Sequence, residues 1–291
     1  EPMPDYEEYQ QKWLETGSGN VSKTAYHAYQ NIQAGDLVLF RDRNAKYYIA
    51  KVKTTAQWLT EDTVDFETYH NAKEAEMPSN PLSWACRVEK WYPISDVPSA
   101  VVGRFSQRRQ QTIRRIVDTD LQKLADILYS VATQTTYEKI PIHAENFCKA
   151  MNPDELEDLT AMWILNENNK DNKNDENNKN SNFCLLPSSC KRNTPKYEFE
   201  LLGMVNGEPQ KITCQVKNQA KINADDYCSD ADTYWKIYLF SGIAVTGTNQ
   251  NSRHIHVIAK EDLYRFLLDN PNQNPIVNAY REKLQKWYTF S

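Results

Sequence analysis

Residues 196–219, KYEFELLGMVNGEPQKITCQVKNQ, carry polar side chains at every second position on two short runs joined by Asn206-Gly207. Both central positions of a tight hairpin turn favour positive φ, and Asn-Gly adopts that turn readily, so the stretch is predicted to be a β-hairpin. Tyr197, Phe199 and Leu201 then share a face that continues into Ile212, Cys214 and Val216. Glu198 and Glu200 lie opposite, as Gln215 and Lys217 do on the partner strand. Alternation alone carries no chemistry, because any half-buried strand has a polar side. The residue types do. A carboxylate, an amide oxygen and an ammonium on one exposed patch are what phosphodiester hydrolysis needs: hard oxygens hold Mg2+, the metal polarises the phosphate and acidifies a water, and a lysine orients that water or offsets developing charge.

Such strands need elements to hold them. "DTDLQKLADILYSVATQ" repeats Leu121, Leu124, Leu128 and Val131 at helical spacing behind an Asp/Thr cap. "NPDELEDLTAMWILNEN" opens a second helix with Asn152 as cap and Pro153 in the first turn, and Leu156, Leu159 and Trp163 line one face. From 166 to 182, nine of seventeen positions are Asn. That segment has almost nothing to bury and is predicted to be a flexible insertion. Strands in "WKIYLFSGIAV" and "RHIHVIAK" follow the hairpin, and helices in "EDLYRFLLDN" and "IVNAYREKLQKWYTF" close the chain. This is an α+β or α/β domain on a mixed central sheet, placed at 118–291. Upstream, "PDYEEYQQKWLETG" is helix-like, "AGDLVLFRDRNAKYYIAKVK" reads as a hairpin turning at "RDRN", "SWACRVEKWYPI" as a further strand and "VVGRFS" as a short one. They predict a small β-barrel-like domain within 1–117.

The hairpin also carries a resemblance. "TPKYEFELL…KITCQVKN" resembles the core of the PD-(D/E)xK nucleases, and specifically the Mrr-type restriction endonucleases, in which the second acidic position is Gln. The resemblance covers the helix at 153–165, the hairpin and the following strands. It implies a restriction-endonuclease-like fold in which Glu198 and Gln215 bind Mg2+, Lys217 serves the attacking water and Glu157, on the preceding helix, completes the ligand shell. Glu198 stands where the family normally has Asp, with Glu200 as its rival; Glu155 is the rival of Glu157.

Other constellations are weaker. His254 and His256 alternate on a strand and are more simply two residues of a polar face. Tyr227 and Tyr234 follow the QxK strand and either touch a substrate backbone or pack. GxSxG, GxxxxGK[ST] and GxGxxG motifs are absent, so no nucleotide cofactor is expected. The six cysteines, at 86, 148, 184, 190, 214 and 228, form no CxxC pair and are read as reduced and mostly buried thiols; Cys184 and Cys190 flank a loop and could meet.

"GRFSQRRQQTIRRI" places Arg104, Arg108, Arg109, Arg114 and Arg115 together with no acid among them, in a chain of net charge −5. Such a cluster suits DNA phosphates and gives sequence-independent, salt-dependent affinity. Trp58, Trp84 and Trp91 are either barrel core or the walls of a pocket for an extruded base. The order of motifs around them is similar to the EVE and PUA-like barrels, which implies reading of modified or unpaired bases. At 291 residues, 40% hydrophobic and 25% charged, the chain has room for two ordinary globular domains. No run is apolar enough for a membrane span and no apolar leader opens the chain, so a cytoplasmic protein is expected. The combined expectation is a Mg2+-dependent DNA endonuclease of a restriction or defence system, dimeric because a duplex takes two cuts and dependent on a modified base if the first domain reads one. The alternative is an inactive DNA-binding or assembly subunit that keeps the fold.

Overall fold

The computed structural model describes residues 5–15, 23–58, 84–105, 113–170, 182–187, 196–205, 207–250, 252–269 and 274–291. Two compact units make up the chain: Glu1–Val97 with Arg104–Glu138, and Pro98–Gly103 with Lys139–Ser291. No helix among the described residues is long and apolar enough to cross a membrane.

In the first unit, helices α1 (Tyr6–Glu15) and α2 (Lys23–Gln30) precede strands β1 (Leu37–Arg41) and β2 (Tyr47–Lys51). β1 and β2 pair antiparallel with Phe40 opposite Tyr48, as the alternating pattern predicts. The Asp42 carboxylate accepts from the Lys46 N–H at 2.8 Å, and Ala45 takes φ 60°, which closes the turn. The expected strand "SWACRVEKWYPI" is broken. β3 (Gln57–Trp58) pairs with β4 (Trp84–Ala85), Val88 makes a lone bridge to Val52, and β5 (Tyr92–Ile94) pairs with β2. Of "VVGRFS", residues 101–105 are not a strand but part of helix α3 (Ser99–Phe105), and Ser106 lies outside the described residues. The Val101 and Val102 N–H groups both donate to the Pro98 carbonyl, and this start overrides the strand preference of two adjacent valines.

The expected barrel does not close among the described residues. β1, β2 and β5 form an open three-stranded antiparallel sheet in the order β1-β2-β5. Helix α4 (Thr119–Ala132) packs on it through Leu124, Ile127 and Leu128, so a helix covers the face that a barrel would have closed with strands. Asp118 caps α4 by accepting from the Asp120 and Leu121 N–H groups. Because α4 belongs to this sheet, the first unit extends to Glu138, beyond the expected boundary at 117.

The second unit is mixed α and β. After β6 (Ile140–Ile142) and the short helix α5 (Phe147–Ala150), the long helix α6 (Pro153–Lys170) packs on a five-stranded mixed sheet. The sheet contains β7 (Cys184–Leu185), β8 (Phe199–Val205), β9 (Glu208–Lys217), β11 (Lys236–Ser241) and β13 (Ile255–Val257), ordered β13-β11-β9-β8-β7. β7, β8 and β9 are antiparallel, while β9, β11 and β13 run parallel. β10 (Ile222–Asn223) and a 3-10 helix over Ala224–Asp230 lie in the crossover from β9 to β11, and β10 pairs parallel with β12 (Val245–Thr246), which follows β11. Helices α7 (Lys260–Asp269) and α8 (Pro275–Gln285) pack on α6, and the end of the last expected helix is instead strand β14 (Tyr288–Phe290), paired with β6.

The Asn-rich segment is not an insertion from its first residue. α6 continues through Lys170, and Asn168 is 4% exposed, donating to the Ile164 carbonyl at 2.8 Å and the Tyr238 hydroxyl at 3.2 Å while accepting from Lys236 Nζ at 3.0 Å. Residues 171–181 lie outside the described residues.

Candidate active site

β8 and β9 form the hairpin that the sequence predicts. Val205 pairs with Glu208, Phe199 pairs with Cys214, and Gly207 has φ 83°, the left-handed conformation that a two-residue turn demands; Asn206 lies outside the described residues. Phe199, Leu201, Ile212, Cys214 and Val216 are buried, as the alternation requires. Tyr197 is not on their face. β8 begins only at Phe199, so the alternation stops there, and Tyr197 joins the cluster of Ile222, Tyr227, Ile237 and Leu239.

The side chains of Glu198, Gln215 and Lys217 meet at a single atom. Gln215 Nε2 donates to Glu198 Oε1 at 2.6 Å, and Lys217 Nζ lies 3.1 Å from the same oxygen. Glu198 is placed by its own N–H, which donates to the Cys214 carbonyl at 2.9 Å. The patch is not wholly exposed, in contrast to the expectation. Gln215 is only 2% exposed, because β9 is the central strand and lies between β8 and β11, whereas the Lys217 side chain, at the strand end, is 44% exposed. A part-buried carboxylate–amide contact thus backs a solvent-reaching ammonium.

The structure separates both pairs of rival carboxylates. Glu200 Oε1 accepts from the Tyr234 hydroxyl at 2.5 Å, so Glu200 ties the hairpin to the segment ahead of β11 while Glu198 faces Gln215 and Lys217. Burial pushes the Tyr234 hydroxyl up, and the bond to Glu200 adds to it. Glu155 is buried and fully engaged: it accepts from Ser99 Oγ at 2.7 Å, Lys283 Nζ at 2.6 Å and the Asn152 N–H at 3.1 Å. Asn152 accepts from the Glu155 N–H in return, a reciprocal cap of α6. The Asn-x-x-Glu spacing at 152–155 was the signal for that structural role. Glu157, two residues further into α6 and so on the other side of the helix, is half-buried. Burial pushes the Cys214 thiol well up, and the charges of Glu198 and Glu157 push it further.

Tyr227 is buried in the cluster with Tyr197, and burial, then Asp226 and Glu198, push its hydroxyl up to about 12. His254 Nδ1 contacts the Trp235 carbonyl at 3.1 Å, and the His256 ring packs on Tyr238. Among the described residues no group of three or more His, Cys, Asp or Glu side chains could hold a metal.

Mg2+ does not need such a cage. It takes oxygen ligands, keeps several waters and is commonly held by one or two carboxylates together with substrate phosphate. Glu198 supplies a carboxylate beside a reachable surface, and Gln215 would present its amide oxygen once the amide turns over. The Cys214 thiol is held protonated and is a poor ligand. The donor set fits a hard divalent cation and does not fit a structural zinc site.

The predicted DNA-binding residues belong to the first unit. Arg104 lies in α3, Arg114 and Arg115 are exposed ahead of α4, and Arg108 and Arg109 fall outside the described residues. Trp58 and Trp84 are backbone partners in the β3–β4 register. Trp91 is 42% exposed and touches Phe40, with ring centroids 5.9 Å apart, so it is neither barrel core nor enclosed. Comparison of the chain with protein-family models, curated proteins and solved structures finds no match.

Proposed function

We propose that this protein is a Mg2+-dependent endonuclease that hydrolyses DNA phosphodiester bonds at the β8–β9 hairpin, as a QxK variant of the PD-(D/E)xK nucleases and a component of a restriction or defence system. The observation that carries the reading is the convergence of Gln215 and Lys217 on Glu198 Oε1. Glu198 and Gln215 would hold the cation, with Glu157 as a further carboxylate. When bound, Mg2+ supplies charge neutralisation at the phosphate and a water acidic enough to attack it. Lys217 holds its ammonium at the open end of β9, where it can meet a phosphate oxygen or the attacking water. Burial of Gln215 fixes the floor of the site. Arg104, Arg114 and Arg115 would supply phosphate contacts on the first unit, and a homodimer would cut both strands.

A second reading, a nuclease-fold DNA-binding or assembly subunit without catalysis, is favoured by one observation. The Gln215 amide turns its nitrogen toward Glu198, so the three side chains satisfy one another without a cation. Incubation with supercoiled plasmid in Mg2+, with and without cytosine or adenine modification, separates the two. Nicking that disappears in Glu198→Ala and Lys217→Ala supports the nuclease. Plasmid that is shifted on a gel but never nicked, modified or not, supports the binder.

A further inference from the structure

We propose that the exposed rings of Phe40 and Trp91, on the face of the β1-β2-β5 sheet opposite α4, form a stacking platform for single-stranded DNA, independent of the hydrolytic site. The argument starts from register. Phe40 and Tyr48 are cross-strand partners with ring centroids 6.2 Å apart, and Trp91 lies 5.9 Å from Phe40. Extending the β2–β5 register places Trp91 opposite Ala50, whose small side chain lets the indole lean across β2. α4 covers the other face, where Tyr92 meets Tyr129 at 6.0 Å. The aromatic face keeps Phe40 at 49% and Trp91 at 42% exposure. Two large aromatic rings left in the open cost solvation that an ordinary sheet would avoid with polar side chains.

The charge around these rings selects the occupant. Residues 37–53 and 84–94 hold seven Lys and Arg against two acids, Asp42 and Glu89, in a chain of net charge −5. Both acids are engaged, Asp42 by the Lys46 N–H and Glu89 by the Tyr129 hydroxyl at 2.9 Å. Arg43 and Lys46 are exposed in the turn that follows Phe40. Arg41, Lys51 and Lys90 lie over Tyr47, Tyr129 and Tyr92 toward the face that α4 covers, so the cations beside the exposed rings are those of the turn. Aromatic faces flanked by cations match a strand whose unpaired bases stack while its phosphates meet the cations, and a duplex buries those base faces.

The test measures anisotropy of labelled oligo(dT), with EDTA present and in a Lys217→Ala background, so failure of the nuclease reading leaves the result unaffected. The expected result is that Phe40→Ala and Trp91→Ala each bind roughly ten-fold more weakly, while Trp91→Phe retains most of the affinity. Arg43→Ala should lower the slope of log affinity against log salt by about 0.7. Unchanged affinity in both alanine variants overturns the proposal, as does competition by duplex as effective as by single strand. Tighter binding of oligo(U) than of oligo(dT) overturns the assignment to DNA, and a change of sedimentation without a change of DNA affinity assigns the face to self-association instead.

Discussion

Lys217 Nζ lies 3.1 Å from Glu198 Oε1, across the two arms of one hairpin and at the edge of solvent. Two residues nineteen positions apart in sequence are thereby held on one face by the strand register. The pair has little structural necessity, because a half-exposed ion pair contributes less than about 1 kcal/mol.

Lys217→Ala should therefore leave the melting temperature nearly unchanged and lower plasmid nicking by about a hundred-fold or more. Parallel thermal scans and nicking assays decide it. Loss of the fold in this variant would show that the ammonium has a structural role, and retention of wild-type nicking would show that it has none in hydrolysis.

Tyr197 donates its hydroxyl to Asp230, and that bond, followed by one from Lys196, holds the Asp230 carboxyl below the usual carboxylate range. A carboxylate whose folded pKa is depressed contributes stability above its unfolded pKa of about 3.9 and loses it as pH falls through the folded value. Tyr197→Phe keeps the ring and removes the bond. Its deficit in melting temperature should be largest near neutral pH and shrink below about pH 4. A deficit constant across that range, measured by calorimetry, would sink the assignment.

Asn168 bonds to two elements, to Ile164 in α6 and to Lys236 and Tyr238 in β11. Asn168→Ala leaves buried polar groups unpaired and should cost about 1–3 kcal/mol in chemical denaturation. A deletion confined to 171–181 spares these bonds and should leave both stability and nicking intact. Equal losses in the two variants would contradict this division of the Asn-rich segment.

Gly242 donates its N–H to the Lys217 carbonyl at 2.8 Å, and a Cβ at this position would stand 2.3 Å from the Asn218 carbonyl oxygen. Backbone cannot yield as a flexible side chain does. Gly242→Ala should destabilise by about 1–3 kcal/mol and shift the end of β9 that carries Lys217, lowering nicking more than the stability loss explains. Full nicking in the folded fraction would show that the strand end is not displaced.

Local patterns carried much of the second unit. Period-two alternation and Asn206-Gly207 placed β8 and β9, and Asn152-Pro153 placed the start of α6, because turn geometry and caps depend on residues a few positions apart. The same local signals could not say that Glu200 belongs to Tyr234 or that Glu155 belongs to Ser99 and Lys283. Those partners are distant in sequence, and only the packing of the second unit brings them to the carboxylates. Nor could alternation report that Gln215 is buried, since that follows from its strand being central in the sheet. The first unit makes the same point. Its hairpin was legible, but whether its strands close on one another or accept α4 as cover depends on which apolar faces meet, and that choice belongs to the tertiary structure alone.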